Sequence, residues 1–188
     1  MLIVIKMKQK IKKIVTVPEN TQLELQLPKI IVKGSLGKIE RKFKFKNIEL
    51  KKEKNSLVLE CKAATKRENK MINTIASHIK NMIIGVNEGF EYKLQICFTH
   101  FPISVKVDKE KNLLVIENFL GENRDRTVKL FPEININIEN DIIILKGYDK
   151  ERVAQCAANI EVATRIRNKD KRTYQDGLWI ISKAGKKT

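Results

Sequence analysis

Long apolar runs are missing from this chain. Its 188 residues hold no stretch approaching the roughly 18–20 consecutive apolar residues that cross a bilayer, which excludes a helical membrane span. The opening Met1-Leu2-Ile3-Val4-Ile5 is too short for a signal-peptide core and runs at once into Lys6, Lys8 and Lys10, so secretion is not expected. Cysteine is sparse. Cys61, Cys97 and Cys156 are odd in number and far apart, which speaks against a disulfide framework and fits a reducing interior. Acid is scarce beside base: 22 Asp and Glu stand against 38 Lys and Arg, for a net charge of +16 and a pI near 9.8. That imbalance makes a polyanion the first partner to consider, because each phosphate neutralised by Lys or Arg releases counterions.

Catalytic and metal-binding patterns are equally thin. Gly34-Ser35-Leu36-Gly37-Lys38 lacks the spacer and the Ser or Thr of a phosphate-binding loop, and it lies between two strand patterns, so it reads as a hairpin turn. Cys97-Phe98-Thr99-His100 has the spacing of half a zinc site, but zinc wants four ligands. The remaining candidates, Cys61, His78 and Cys156, fall on separate elements. No Ser, Cys or Thr stands in a nucleophile-elbow pattern, and no acid/base pair is evident. His78 falls at the edge of a helical stripe, where packing or a surface role suffices. His100 stands at a junction where a strained turn or an interface contact explains it as well as a base would. Neither an enzyme nor a cofactor or metal protein is expected.

What the chain does have is a copy of itself. Val17-Pro18 matches Phe101-Pro102, an offset of 84. Residues 31–37 match 115–121 at the same offset, sharing a Leu-Gly turn, and Leu57-Val58-Leu59 matches Ile142-Ile143-Ile144 at 85. Each copy predicts a strand after the proline (22–27, 103–107), a second strand (29–33, 113–117), a turn and a third strand (38–45, 126–131). Two further strands form a hairpin (48–51 with 56–61, 134–138 with 141–145), turning at Glu53-Lys54-Asn55 and at Glu139-Asn140. A helix then closes each copy. Met71, Ile72, Ile75, Ile79, Met82 and Ile83 make one apolar stripe, and Val153, Cys156, Ala157, Ile160 and Ala163 make the other. Thr65 is the first helix's N-cap, with Glu68 as capping-box partner, and Gly85 to Gly89 ends that helix. A strand over 90–98 enters the second copy. The expected fold is α+β: a tandem duplication of a small domain, each an antiparallel β-sheet packed by one helix, over residues 1–90 and 91–188.

Charge is unevenly shared. Residues 1–92 carry 20 basic and 9 acidic residues, a net of +11; the rest carry 18 and 13, a net of +5. Five cations crowd residues 165–172, just past the second helix: Arg165, Arg167, Lys169, Lys171 and Arg172. A preference for cations at helix ends accounts for one or two of them, not five. Tyr174 and Trp179 follow, around an Asp176-Gly177 turn and a last short strand. Aromatic faces among cations can stack on unpaired bases, or Trp179 can simply pack on the second domain.

With the duplication and this tail in view, the chain resembles a universal family of large-subunit ribosomal proteins, called protein six in bacteria and protein nine in eukaryotes, with the eukaryotic branch the closer match. Three pieces carry the resemblance. One runs from His78 through Gly85-Val86 and Gly89-Phe90-Glu91-Tyr92-Lys93 to His100-Phe101-Pro102-Ile103; another is Ile116-Glu117-Asn118-Phe119-Leu120-Gly121-Glu122; the third is Asn168-Lys169-Asp170, Arg172 and Asp176-Gly177-Leu178. Tyr174, Trp179 and Glu161 depart from the family's usual Phe, Tyr and Gln. The resemblance implies a structural constituent of the large ribosomal subunit that binds ribosomal RNA near the sarcin–ricin loop and the stalk base, mainly through the second domain. It implies neighbouring large-subunit proteins as partners, a cytoplasmic ribosome as location, and assembly in the nucleus or nucleolus in a eukaryote. It implies RNA contacts at Arg165, Arg167, Asn168, Lys169, Lys171, Arg172 and Tyr174, and at the turn Asn118, Phe119, Leu120 and Gly121. The alternative is a non-ribosomal RNA-binding module. The basic first domain is left without a role.

Overall fold

The computed structural model describes residues 9–44, 47–53, 55–170 and 172–187. The chain divides into two compact units, the first ending at Glu88 and the second beginning at Gly89.

In the first unit, β1 (Gln9–Thr16), β6 (Ser56–Ala64) and β5 (Glu49–Glu53) form one antiparallel sheet in the order β1-β6-β5. A second antiparallel sheet has the order β2-β3-β4, from Gln22–Gln26, Lys29–Lys33 and Lys38–Lys42. Helix α1 (Lys66–Asn87) packs on β1 and β6 of one sheet and β3 and β4 of the other. Its stripe of Ile72, Ile75, Ile79, Met82 and Ile83 is buried, as are Val15 of β1 and Leu57 and Leu59 of β6, the strands it packs on. At about 25 cal/mol per Å² of apolar surface removed from water, such a stripe is what holds a helix to a sheet. Thr65 and Glu68 close the capping box reciprocally, and Gly89 takes the left-handed conformation just beyond the C-cap (φ +77°).

The second unit repeats this plan. Its smaller sheet, order β10-β9-β8, comprises Arg126–Lys129, Leu113–Glu117 and Ser104–Asp108. Its larger sheet contains β11 (Asn135–Glu139), β12 (Ile142–Gly147) and β7 (Phe90–Cys97), in the places of β5, β6 and β1. Helix α2 (Lys150–Ala163) lies against β7, β12 and β10 and buries Val153, Cys156, Ala157 and Ile160. One addition breaks the symmetry. Strand β13 (Gly177–Lys183) pairs with the free edge of β7, placing Leu178 opposite Ile96, and is followed by β14 (Lys186–Lys187).

Two expectations change. Each copy carries two antiparallel sheets where the sequence suggested one, because the strands on either side of the Leu-Gly turn pair among themselves. The first copy also begins earlier than its proline, since β1 is the counterpart of β7. Strand β4 ends at Lys42 against an expected strand over 38–45, and the end of that expected strand, with Lys54 of the expected 53–55 turn, lies outside the described residues. The Gly34 turn is a hairpin clamped to the end of α1: Leu36 N–H donates to the Val86 carbonyl at 2.9 Å.

Candidate nucleic-acid interface

The basic segment is a loop held at both ends by buried polar groups. It leaves α2 at Thr164, whose buried hydroxyl accepts from Leu178 N–H of β13 at 3.0 Å and donates back to the Glu161 carbonyl at 3.2 Å. Ile166 then plugs into the core. Arg165, Arg167, Asn168, Lys169 and Arg172 are all exposed. Lys171 lies outside the described residues. Asn168 takes the left-handed conformation (φ +59°), which asparagine tolerates better than most residues. Asp170 tightens the turn: its Oδ1 accepts Arg172 N–H at 2.9 Å and its carbonyl accepts Tyr174 N–H at 2.9 Å.

The far end is anchored by Asp176, which is fully buried. Its Oδ1 accepts Thr99 N–H at 2.6 Å and His100 N–H at 3.1 Å, and its Oδ2 faces His100 Nδ1 at 2.8 Å. Burial alone pushes a carboxyl pKa up. Here the hydrogen bonds from Thr99 and from the His100 ring and amide outweigh it, and Asp176 is held down at about 2. The His100 ring stacks on half-buried Tyr174 at 4.7 Å between centroids, and Lys169 Nζ lies 4.5 Å over the same tyrosine. A buried carboxylate, an imidazole, a phenol ring and a lysine thus form a column that runs from the core to the loop surface. A cation so placed gains about 0.5–1 kcal/mol from the ring when exposed, enough to bias where Lys169 points.

The turn at 118–121 sits beside this loop. Asn118 (φ +57°), Leu120 (φ +51°) and Gly121 (φ +72°) all adopt positive φ. For leucine that is a strained conformation, costing on the order of 1–3 kcal/mol, which the surroundings must impose. Asn118 Nδ2 donates to the Pro102 carbonyl at 3.0 Å, and the Phe101 ring lies against Gly121. Arg126 connects turn to loop. Its guanidinium lies 4.2 Å over the Phe119 ring, donates to the Ala163 carbonyl at 2.7 Å, and binds Glu122 through Nε at 2.8 Å. Glu122 is accordingly held below the usual carboxylate range, first by the Arg126 hydrogen bond, and also by the charges of Arg126 and Lys169.

The described candidate contact residues therefore lie on one unit around the same supporting residues, with one revision. Phe119, 1% exposed, belongs to the core and cannot itself touch a ligand; the turn presents Asn118, Gly121 and part of Leu120. Trp179 is 44% exposed rather than packed away, and its ring N–H is tied to the Gln175 carbonyl at 3.1 Å. It borders a cleft of about 970 Å³ lined also by Cys97, Phe98, Val162 and Arg165. His100, Arg126 and Asp176 are the supporting residues that sequence reasoning did not connect. Among the described residues no three His, Cys, Asp or Glu side chains gather as metal ligands. Burial pushes the Cys156 thiol up to about 11, which leaves it protonated and inert.

Comparison with known proteins matches residues 17–89 and 101–177 to the family model of ribosomal protein L6, one stretch in each unit. The large ribosomal subunit protein uL6 of Staphylothermus marinus is 44% identical over 168 residues, covering 88% of this chain and 91% of that protein. The protein of the same name from Methanobrevibacter smithii is 40% identical over 173 residues, covering 92% and 96%. That of Methanosarcina mazei is 39% identical over 178 residues, covering 95% and 100%.

Proposed function

The chain belongs to the ribosomal protein L6 family, and from that premise we propose that it is a structural, non-enzymatic component of the large ribosomal subunit that binds ribosomal RNA through its second unit. The binding surface is the loop at 165–172 with Tyr174, joined by the exposed part of the turn at 118–121. The address is the RNA near the sarcin–ricin loop and the stalk base, among neighbouring large-subunit proteins, on cytoplasmic ribosomes. A nuclear or nucleolar assembly step belongs to this reading only for a eukaryotic source, and the relatives above are archaeal.

One observation carries the RNA reading: the loop's cations Arg165, Arg167, Lys169 and Arg172 are exposed while its two ends, Thr164 and Asp176, are buried and hydrogen-bonded. A loop fixed before its partner arrives loses little entropy on docking. Lys and Arg then neutralise closely spaced phosphates, and an A-form helix is read chiefly by shape and backbone. Support of translation follows indirectly, from RNA kept in place.

The test is a triple substitution, Arg167→Ala, Lys169→Ala and Arg172→Ala. We expect weaker binding to large-subunit ribosomal RNA and a salt slope smaller by about 3, one for each lost phosphate contact. An unchanged slope with normal incorporation into subunits overturns the assignment. Pelleting with large subunits through a high-salt wash separates this reading from a free RNA-binding module.

A further inference from the structure

We propose that the exposed face of α1, in the first unit, is a second docking surface for the phosphate backbone of RNA, independent of the loop at 165–172. Lys66, Arg67, Lys70 and Lys80 are exposed on this helix, together with Asn69, Asn73, Thr74 and Ser77. None of the four cations has an ion pair among the described residues. The helix carries only two acids before its end cap is passed: Glu68, whose carboxylate is turned back onto Thr65 in the capping box, and Glu88 at the C-cap itself.

The cations also stand where the helix itself disfavours them. A helix N-terminus carries positive partial charge and its C-terminus negative, so cations are favoured in the last turn. In α1 the last turn has no basic residue, while Lys66 and Arg67 stand in the first turn beside Glu68 and Lys70 follows at the start of the second. Three side-chain cations against the one Glu68 carboxylate of the capping box leave this end of the helix net positive, which suits an anion running along its exposed face. On the strands of the unit several lysines are partnered: Lys33 with Glu24, Lys38 with Glu40, Lys62 with Glu49, and Lys10 and Lys51 with Glu60. On α2 the exposed Arg152 is spanned by Glu133 and Asp149. What sets α1 apart is that its four cations share one exposed helix face on which the sole carboxylate, Glu68, is engaged in the capping box.

Its chemistry selects RNA over an acidic protein. Lys and Arg interspersed with Asn, Ser and Thr is the mixture that contacts phosphates and sugars. A protein partner's interface needs a buried centre of apolar or aromatic anchors. Here the one large apolar side chain exposed on the helix is Ile84, beyond Lys80. From Lys66 to Lys80 the helix advances about 21 Å at 1.5 Å per residue, long enough to follow several phosphates. This surface gives the strongly basic first unit a role that the second unit's loop leaves unfilled.

The experiment uses the full chain, a 24-base-pair RNA duplex and poly-glutamate as probes. One variant carries Lys66→Gln, Arg67→Gln, Lys70→Gln and Lys80→Gln. A charge-matched control carries Lys29→Gln, Lys33→Gln, Lys38→Gln and Lys62→Gln. We expect the α1 variant to lose about ten-fold in duplex affinity at 0.15 M salt and about 3 in salt slope, and the control to lose clearly less of both. Removing cations from the helix start should leave the melting temperature unchanged or higher, so misfolding cannot mimic the result. Equal losses in variant and control overturn the proposal, because net charge alone then explains them. So does a loss confined to poly-glutamate, which would identify an acidic protein as the occupant. The loop variant of the previous section is scored separately, so either surface can fail without the other.

Discussion

The first unit leaves the outer edge of β1 without a strand among the described residues, whereas the second covers the matching edge of β7 with β13. The remaining strands and the helix correspond one to one. An open strand edge invites pairing with another chain, and the first unit blunts it with charge, through exposed Lys10 and Lys12. In the second unit the added strand brings its own lead-in, and that lead-in is the basic loop. One edge is guarded by cations; the other is used to mount them. The charge balance differs too: 20 basic and 8 acidic residues through Glu88, a net of +12, against 18 and 14 from Gly89 on, a net of +4. The less basic unit holds the rigid cationic loop, so local arrangement, not total charge, separates the two surfaces.

Four measurements would break or sharpen that comparison. The largest effect should come from Asp176→Ala, which strands the Thr99 and His100 donors and uncouples β13 from the end of β7. Removing one side of a buried charged network costs about 3–5 kcal/mol. Trp179 and all three tyrosines fall in the second unit, so fluorescence during denaturant unfolding reports on it alone. A variant as stable as the parent would show that β13 is not anchored this way. The second measurement is acid sensitivity. The Asp176 pKa is depressed to about 2 in the folded state, from an unfolded value near 3.8. Its contribution is therefore complete above about pH 4 and disappears as pH falls through 2; it amounts to about 2 kcal/mol. Asp176→Asn should flatten the pH dependence in that window, and a parallel curve would contradict the assignment.

The third effect belongs to the first unit. A Cβ on Gly34 would stand 2.6 Å from Val86 Cγ2 and 2.8 Å from the Val86 carbonyl oxygen, and backbone yields less readily than a side chain. Gly34→Ala should cost about 1–3 kcal/mol, with the second unit's fluorescence transition unmoved. Smallest of all, Thr65→Ala and Asp149→Ala remove the N-caps of α1 and α2 and should cost about 1 kcal/mol each. Unequal losses would mean the two caps are not equivalent parts of the repeat.

Much of this fold is legible in the sequence because it is written twice. A weak strand pattern at one place gains force when it returns 84 residues later, as at 31–37 and 115–121. The capping box at Thr65 and Glu68 and both helix stripes follow from spacing alone. Strand β1 was hidden because Lys10, Lys12 and Lys13 interrupt its apolar residues, and only its likeness to the strand over 90–98 could have revealed it. Division of each copy into two sheets depends on which strands pair, which alternation does not encode. At the site, the exposed cations were visible as composition. The tie between His100 and Asp176 spans 76 residues and leaves no local signature. Phe119 came in with the turn that the resemblance implies, and the resemblance alone does not say which of its side chains turns inward: positive φ at Asn118, Leu120 and Gly121 folds the turn so that Phe119 is buried.

The most direct measurement is ultraviolet crosslinking of intact large subunits carrying this chain, followed by identification of the peptides that retain a nucleotide. The account predicts nucleotide-bearing peptides from 165–176 and from around 118–121. Subunits whose crosslinks to this chain avoid both segments would contradict it.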